Sequence, residues 1–202
     1  MIHITDKQDF WNDMYKNHNV AWDLKSPTPV FQRIVKENKI IDTGKILIMG
    51  SGYGYDAIEA AKNGFDVTAV DFSDSAVNFA LSHARKEGVT INFLVKNFFE
   101  LTEKYAARFD IVYDYVAYCA ISPIRRDEYA KLISDLLKCA GTFIALWFPV
   151  ERRSGGPPFA IDLKETENIF SNYLKLKSSS VEADTIKPRR GREILQIYRK
   201  EC

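Results

Sequence analysis

Residues 45 to 71, KILIMGSGYGYDAIEAAKNGFDVTAVD, constrain the fold more than any other stretch. An apolar run, a glycine-rich turn, a helical pattern and a second apolar run follow one another without a break. Strand, loop, helix and strand in this order make a crossover unit, the connection that two parallel strands need. Both apolar runs end in residues with ligand chemistry: the first at Gly50, Gly52 and Gly54, the second, Asp66 to Val70, at the carboxylate of Asp71. In an open parallel sheet, that carboxyl edge is where ligands bind. The glycines let the backbone turn sharply and come close to a ligand with no Cβ in the way, and Asp71 can accept both hydroxyls of a ribose.

Spacing narrows the ligand. A dinucleotide fingerprint reads G-x-G-x-x-G and a phosphate-cradling loop closes with Gly-Lys-Ser/Thr; the order Gly50-Ser51-Gly52-Tyr53-Gly54-Tyr55 matches neither. G-x-G-x-G followed by an acidic residue at the end of the second strand is the nucleoside-site pattern of class I S-adenosylmethionine (AdoMet) methyltransferases. The glycine turn alone is also compatible with a plain tight connection between strand and helix. Asp71 in the right place shifts the reading to a ligand.

The 202 residues suit one domain with a sizeable core. A net charge of +1 supplies no field that would draw in nucleic acid or an anionic membrane. The only dense basic run, Lys187 to Arg192, reads as a solvated loop. Cys119, Cys139 and Cys202 are odd in number and lack C-x-x-C spacing, which suggests neither a disulfide framework nor a structural zinc site. The chain therefore reads as reduced. Neither a signal-peptide pattern nor an apolar run of membrane-spanning length stands out, and the expectation is a cytoplasmic monomer.

Taken in order, residues 5 to 20 carry Phe10, Trp11, Met14 and Tyr15 at helical spacing, with Thr5 or Asp6 as cap. Trp22 follows, and a second helical pattern runs through Val30, Ile34 and Val35. Trp11, Tyr15 and Trp22 either pack this helical segment onto the sheet or close over a cofactor. Ser73 can cap a helix to about Glu87; a third strand, Thr90 to Val95, ends at Asn97-Phe98-Phe99, an acceptor and two rings suited to an adenine edge and face. Phe109 to Tyr115 reads as the fourth strand, Arg126 to Lys138 as a helix, Thr142 to Phe148 as the fifth strand, and 150 to 160 as a loop on the substrate side. A short helix, Lys164 to Phe170, precedes two strands, Tyr173 to Val181 and Glu193 to Arg199, joined by the basic turn. The whole is an α/β fold: a doubly wound, mostly parallel seven-stranded Rossmann-like sheet with a C-terminal antiparallel hairpin, residues 1–40 forming a helical lid and 41–202 the core of one domain.

With these pieces placed, the sequence resembles the thiopurine S-methyltransferase family, and within it the plant-type halide, thiocyanate and thiol methyltransferases. The likeness runs from Trp11 to the basic turn and is most specific in DYVAYCAISP (Asp114 to Pro123), FPV (Phe148 to Val150) and GGPPF (Gly155 to Phe159). It implies AdoMet as cofactor, S-adenosylhomocysteine as product, and a small thiol or soft anion (hydrosulfide, thiocyanate, halide) as methyl acceptor. Carried over by position, cofactor residues are Trp11, Tyr15, Trp22, Gly50, Gly52, Asp71, Phe72, Asn97, Phe98 and Tyr115; substrate-pocket candidates are Cys119, Phe159 and Trp22. Tyr15 stands where the plant enzymes have tryptophan, and Asn97 where aspartate is usual, keeping an acceptor oxygen. Phe159 replaces a tyrosine, which removes a donor for small anions and favours an organic thiol.

A thiolate that arrives ionised needs no strong base. That agrees with the lack of a Ser/His/Asp set, a Cys/His pair or a metal cluster in the pattern, and His18 reads as a loop histidine. The Asn/Asp-Pro-Pro-aromatic motif of amino-group methyltransferases does not follow the fourth strand, where Asp114-Tyr115-Val116-Ala117 stands instead. Other readings are a thiopurine-type aromatic thiol methyltransferase, a non-catalytic AdoMet-binding protein, and a nicotinamide-dependent oxidoreductase.

Overall fold

Among the described residues, seven strands make up the sheet, as the alternation of apolar runs and helical patterns requires. The computed structural model describes residues 3–37, 41–148 and 155–202, and the chain falls into two compact units, Met1–Glu100 and Leu101–Cys202.

The first unit opens with a 3-10 turn, Ile4–Asp6, and then α1 (Gln8–Lys16). The expected cap moves one element earlier. His3 accepts from the Thr5 amide and Asp6 accepts from the His3 amide, closing the 3-10 turn, while Lys7 at the N-cap of α1 makes no side-chain bond. α2 (Pro29–Glu37) begins on a proline, as the missing N–H permits, and buries Val30, Phe31, Ile34 and Val35, one helical face. β1 (Lys45–Met49), α3 (Tyr55–Lys62), β2 (Asp66–Asp71), α4 (Asp74–Lys86) and β3 (Asn92–Val95) follow. β1 pairs parallel with β2 from Lys45↔Asp66 to Met49↔Val70, and β2 with β3 from Thr68↔Asn92 to Asp71↔Val95, so the order is β3-β2-β1. Ser73 caps α4 as expected, accepting from the Ala76 amide at 3.2 Å.

In the second unit a single-turn helix, α5 (Thr102–Tyr105), precedes β4 (Phe109–Tyr115), α6 (Arg126–Leu136), β5 (Leu137–Trp147), α7 (Leu163–Ser171), β6 (Lys175–Glu182) and β7 (Glu193–Arg199). β5 starts five residues before the expected Thr142. Leu137 already pairs with Phe109, and Ala140, in the left-handed region at φ 56°, takes up the register shift before Ile111↔Thr142. β4 and β5 are parallel; β7 is antiparallel to both β5 and β6, giving β4-β5-β7-β6 and the expected hairpin. Phe143, Trp147, Phe170, Tyr198 and Tyr118 are fully buried together, with Phe143 and Phe170 stacked at 5.2 Å.

Two expectations are corrected here. Cys139 and Cys202 are joined by a disulfide, with Cα atoms 5.2 Å apart, so the chain is not a set of free thiols. The β5–β7 ladder explains the pairing: it ends where Thr142 faces Arg199, and Cys139 and Cys202 each lie three residues beyond that pair on the same side. The basic run is also not wholly solvated, since the Arg189 side chain is only 12% exposed. Residues 149–154, which include the end of the FPV string, lie outside the described residues. No described helix is long and apolar enough to cross a membrane.

Candidate functional site

The glycine turn after β1 has the predicted geometry. Gly50, Gly52 and Gly54 all have positive φ, which side-chain-bearing residues rarely adopt. At Gly52 a Cβ would stand 3.0 Å from the Tyr15 hydroxyl, and at Gly54 2.8 Å from the Ala80 Cβ. The first keeps the loop backbone open under the N-terminal segment; the second lets α3 start against α4. The Ser51 amide donates to the Val70 carbonyl at 2.9 Å, tying the turn to β2.

Asp71, the last residue of β2, is buried and sits against that turn. Its Oδ2 accepts from the Gly52 amide at 2.8 Å and its Oδ1 from the Ser73 amide at 2.9 Å. Burial pushes its carboxyl up, and the backbone amides of Ser73, Gly52 and Phe72 oppose the rise. A carboxylate offers about four acceptor positions, so room for hydroxyls remains beside these amides.

Trp11, Tyr15 and Trp22 come together over this turn. Trp22 lies 5.9 Å from both other rings in edge-to-face contacts and donates its Nε1 hydrogen to the Tyr15 hydroxyl at 3.4 Å. Tyr15 meets Tyr53 of the glycine turn at 5.1 Å, and Tyr53 meets Phe79 of α4 at 4.4 Å. Burial, then the Asp71 charge, holds the Tyr15 phenol well above its ordinary pKa, so it stays a neutral hydroxyl. The aromatic segment is bolted at two further points. The Ser73 hydroxyl donates to Asn12 Oδ1 at 2.7 Å, and Asp56, in the first turn of α3, accepts from the Thr28 amide at 2.6 Å and its hydroxyl at 2.7 Å. Tyr53, Asn12 and Asp56 carry no marker in the sequence beyond an acid in a first helical turn. Their roles arise from contacts 28 to 61 residues apart.

Asn97 and Phe98 follow β3, whose end is joined to Asp71 by the Lys96 amide donating to the Asp71 carbonyl at 3.0 Å. The Asn97 side-chain oxygen accepts from the Phe99 amide at 3.1 Å, so one of its lone pairs is used locally. These residues fit a nucleoside: an apolar, glycine-lined cradle, a buried carboxylate at its edge and a wall of aromatic faces. They lie within one unit.

In the second unit, Cys119 and Phe159 are brought together: the Phe159 amide donates to the Cys119 carbonyl at 2.7 Å. Phe159 is buried, and its ring lies where a Cβ on Gly156 would stand 2.5 Å away, which is why that loop position is glycine. The Cys119 thiol donates to the Val116 carbonyl at 3.1 Å, and burial pushes its pKa up to about 12. Burial thus disfavours the thiolate, the form a nucleophile or base needs. Arg126, missed in the sequence and almost fully buried, donates to the Ala160 carbonyl at 2.6 Å beneath the Tyr118 ring and so holds the loop's end. Tyr115 ends β4 with its hydroxyl donating to Glu193 Oε1 at 2.7 Å. Among the described residues no group of three His, Cys, Asp or Glu could hold a metal ion.

The family model for thiopurine S-methyltransferase matches residues 6–201. A probable thiol methyltransferase 2 of Arabidopsis thaliana is 32% identical over 197 residues, covering 94% of this chain and 84% of the relative. Thiocyanate methyltransferase 1 of the same plant is 29% identical over 203 residues, covering 98% and 88%. A Burkholderia thailandensis 1,6-didemethyltoxoflavin-N1-methyltransferase, solved with S-adenosylhomocysteine bound, superposes with a TM-score of 0.75 at 20% identity, covering 96% of this chain and 87% of that one.

Proposed function

The chain belongs to the thiopurine S-methyltransferase family and is an AdoMet-dependent methyltransferase; we propose that its acceptor is a small organic thiol. The observation that carries this is the Cys119–Phe159 pair. The two residues are joined through their backbones, yet neither offers a free polar donor, because phenylalanine has none and the thiol is committed to Val116. Such a lining suits an apolar thiol better than a halide or thiocyanate, which need donors in place of their lost hydration.

AdoMet supplies an activated methyl group on a sulfonium. The chain's own part is to bind, orient and exclude water. Asp71 would accept the ribose hydroxyls, the glycine turn would let the cofactor approach the protein backbone closely, and Trp11, Tyr15 and Trp22 would offer aromatic faces to a cation without competing for its methyl group. Water exclusion by these rings favours the neutralisation of a thiolate by a sulfonium, and fixing both partners contributes proximity. With Cys119 held as a thiol, neither member of the pair takes a proton, and the acceptor is taken to arrive ionised.

The proposal treats 1–202 as one methyltransferase domain with 1–40 as its lid, supported by the family match across 6–201. It also takes the protein to act on small molecules rather than nucleic acid, in keeping with a net charge of +1. Turnover of an aliphatic thiol, an aromatic thiol, thiocyanate and iodide, compared as kcat/KM, tests the acceptor class. The proposal expects a thiol first; iodide or thiocyanate ahead of every thiol would overturn it.

A further inference from the structure

The β6–β7 hairpin closes at the Glu182↔Glu193 pair, and the basic segment between the strands folds back on it. A 3-10 turn, Lys187–Arg189, carries Pro188 at its second position, and the Gly191 amide donates to the Glu182 carbonyl at 3.0 Å with φ at 70°. This delivers Arg189 to the end of β4. Its Nη1 donates to the Tyr115 hydroxyl, and that hydroxyl donates onward to Glu193 Oε1 at 2.7 Å. Arg189 Nη1 lies 3.6 Å from the same carboxylate oxygen, and Thr185 donates its hydroxyl to the other. The guanidinium also lies over two ring faces, Tyr115 and Phe148, each at 5.3 Å.

An arginine 12% exposed beside a glutamate that is fully buried is a poor device for stability, since well-packed apolar residues commonly do as well in such a place. What it does supply is direction: the Tyr115 hydroxyl has both its donor and an acceptor position assigned, which fixes the end of the ring, and the guanidinium lies over its face. Direction is needed here because the next residue, Val116, is β-branched and held at φ 66°, an outlier conformation in which the backbone leaves the strand sharply. We infer that Arg189 and Glu193 are positioning residues for Tyr115, and that the basic turn of the C-terminal hairpin is thereby part of the cofactor-binding machinery. This rests on the family reading of Tyr115 as a cofactor residue.

The test is AdoMet titration by calorimetry, with the KM of AdoMet and of an acceptor thiol, on wild type, Tyr115→Phe, Arg189→Ala and the double variant. Each single change is expected to weaken AdoMet about tenfold, and the double variant to fall within about twofold of Arg189→Ala, the non-additivity of residues in one network. The acceptor KM should stay within about twofold, since the coupling runs only to a cofactor residue. Arg189→Lys keeps the charge but loses the planar group that stacks and orients, and should bind AdoMet as weakly as Arg189→Ala. Fully additive losses, or unchanged AdoMet affinity with a raised acceptor KM, would overturn the inference. Should Arg189→Ala fail to melt cooperatively, Tyr115→Phe and Arg189→Lys decide: wild-type affinity in both would overturn it. A wild type that does not bind AdoMet would overturn the family reading as well, whereas binding that none of the variants alters would overturn this inference alone.

Discussion

Gly52 donates its amide to Asp71 Oδ2 at 2.8 Å, which makes the glycine turn after β1 and the carboxylate ending β2 one hydrogen-bonded unit. A change at Asp71 therefore slackens the cradle and, in the proposed site, removes a ligand contact with it. Asp71→Ala is expected to weaken AdoMet binding by about 1–3 kcal/mol, the scale for hydrogen bonds to a charged group, while keeping a cooperative melt. Calorimetry that returns wild-type affinity would remove Asp71 from the site.

Opening the disulfide should cost stability without touching the cofactor site. Cys139 and Cys202 are 63 residues apart; the chain-entropy account gives about 4 kcal/mol for such a loop, and about 2–4 kcal/mol is typical of disulfides. Cys139→Ser, or wild type under reductant, should melt several degrees lower with AdoMet affinity unchanged. An unaltered melting temperature under full reduction would contradict this.

Asp114 makes stability depend on pH. It accepts from the Ala117 and Tyr118 amides at 2.9 and 3.1 Å and from the Tyr129 hydroxyl at 2.7 Å, yet burial outweighs these bonds and pushes its carboxyl from 3.8 up to about 6. The folded state thus holds this proton more tightly than the unfolded chain. Its contribution is full below about pH 4 and is lost as pH rises towards and through 6, by at most about 3 kcal/mol. In urea unfolding, the stability of wild type relative to Asp114→Asn should fall across that window. A constant difference from pH 4 to 7 would show that Asp114 does not titrate there.

The pocket loop offers a further check. Phe159 packs its ring on Gly156, with no room for a Cβ there, so Gly156→Ala must displace the ring at about 1–3 kcal/mol, the usual range for overpacking. Acceptor KM should rise while AdoMet affinity holds. Phe159→Tyr should raise iodide turnover relative to thiol, and an unchanged ratio would take Phe159 out of the pocket.

What could be read in the sequence follows from how local the cause is. Gly52, Gly54 and Asp71 lie within one strand–loop–helix–strand unit, where turn chemistry and burial alternation dictate the backbone, and Ser73 as a cap is equally local. β4 and β7 have the predicted limits because their apolar runs end in clear turn signals. β5 does not, because a left-handed Ala140 and a register shift let pairing start at Leu137. The Cys139–Cys202 bond and the Arg189–Tyr115 contact, 63 and 74 residues apart, both depend on the strand register around β7, which no local pattern specifies. By its pattern Arg189 belongs to a solvated run, because charge alone does not show which member of a turn folds inward.

The most direct measurement of the central claim is transfer of a labelled methyl group from AdoMet to hydrosulfide, an aliphatic thiol and a thiopurine, with an amine and an alcohol as controls. The account predicts methylated sulfur products, an organic thiol leading and the controls inert, with a rate that climbs with pH until the acceptor thiol is ionised. AdoMet binding with no labelled sulfur product, or label appearing on the amine or alcohol, would contradict it.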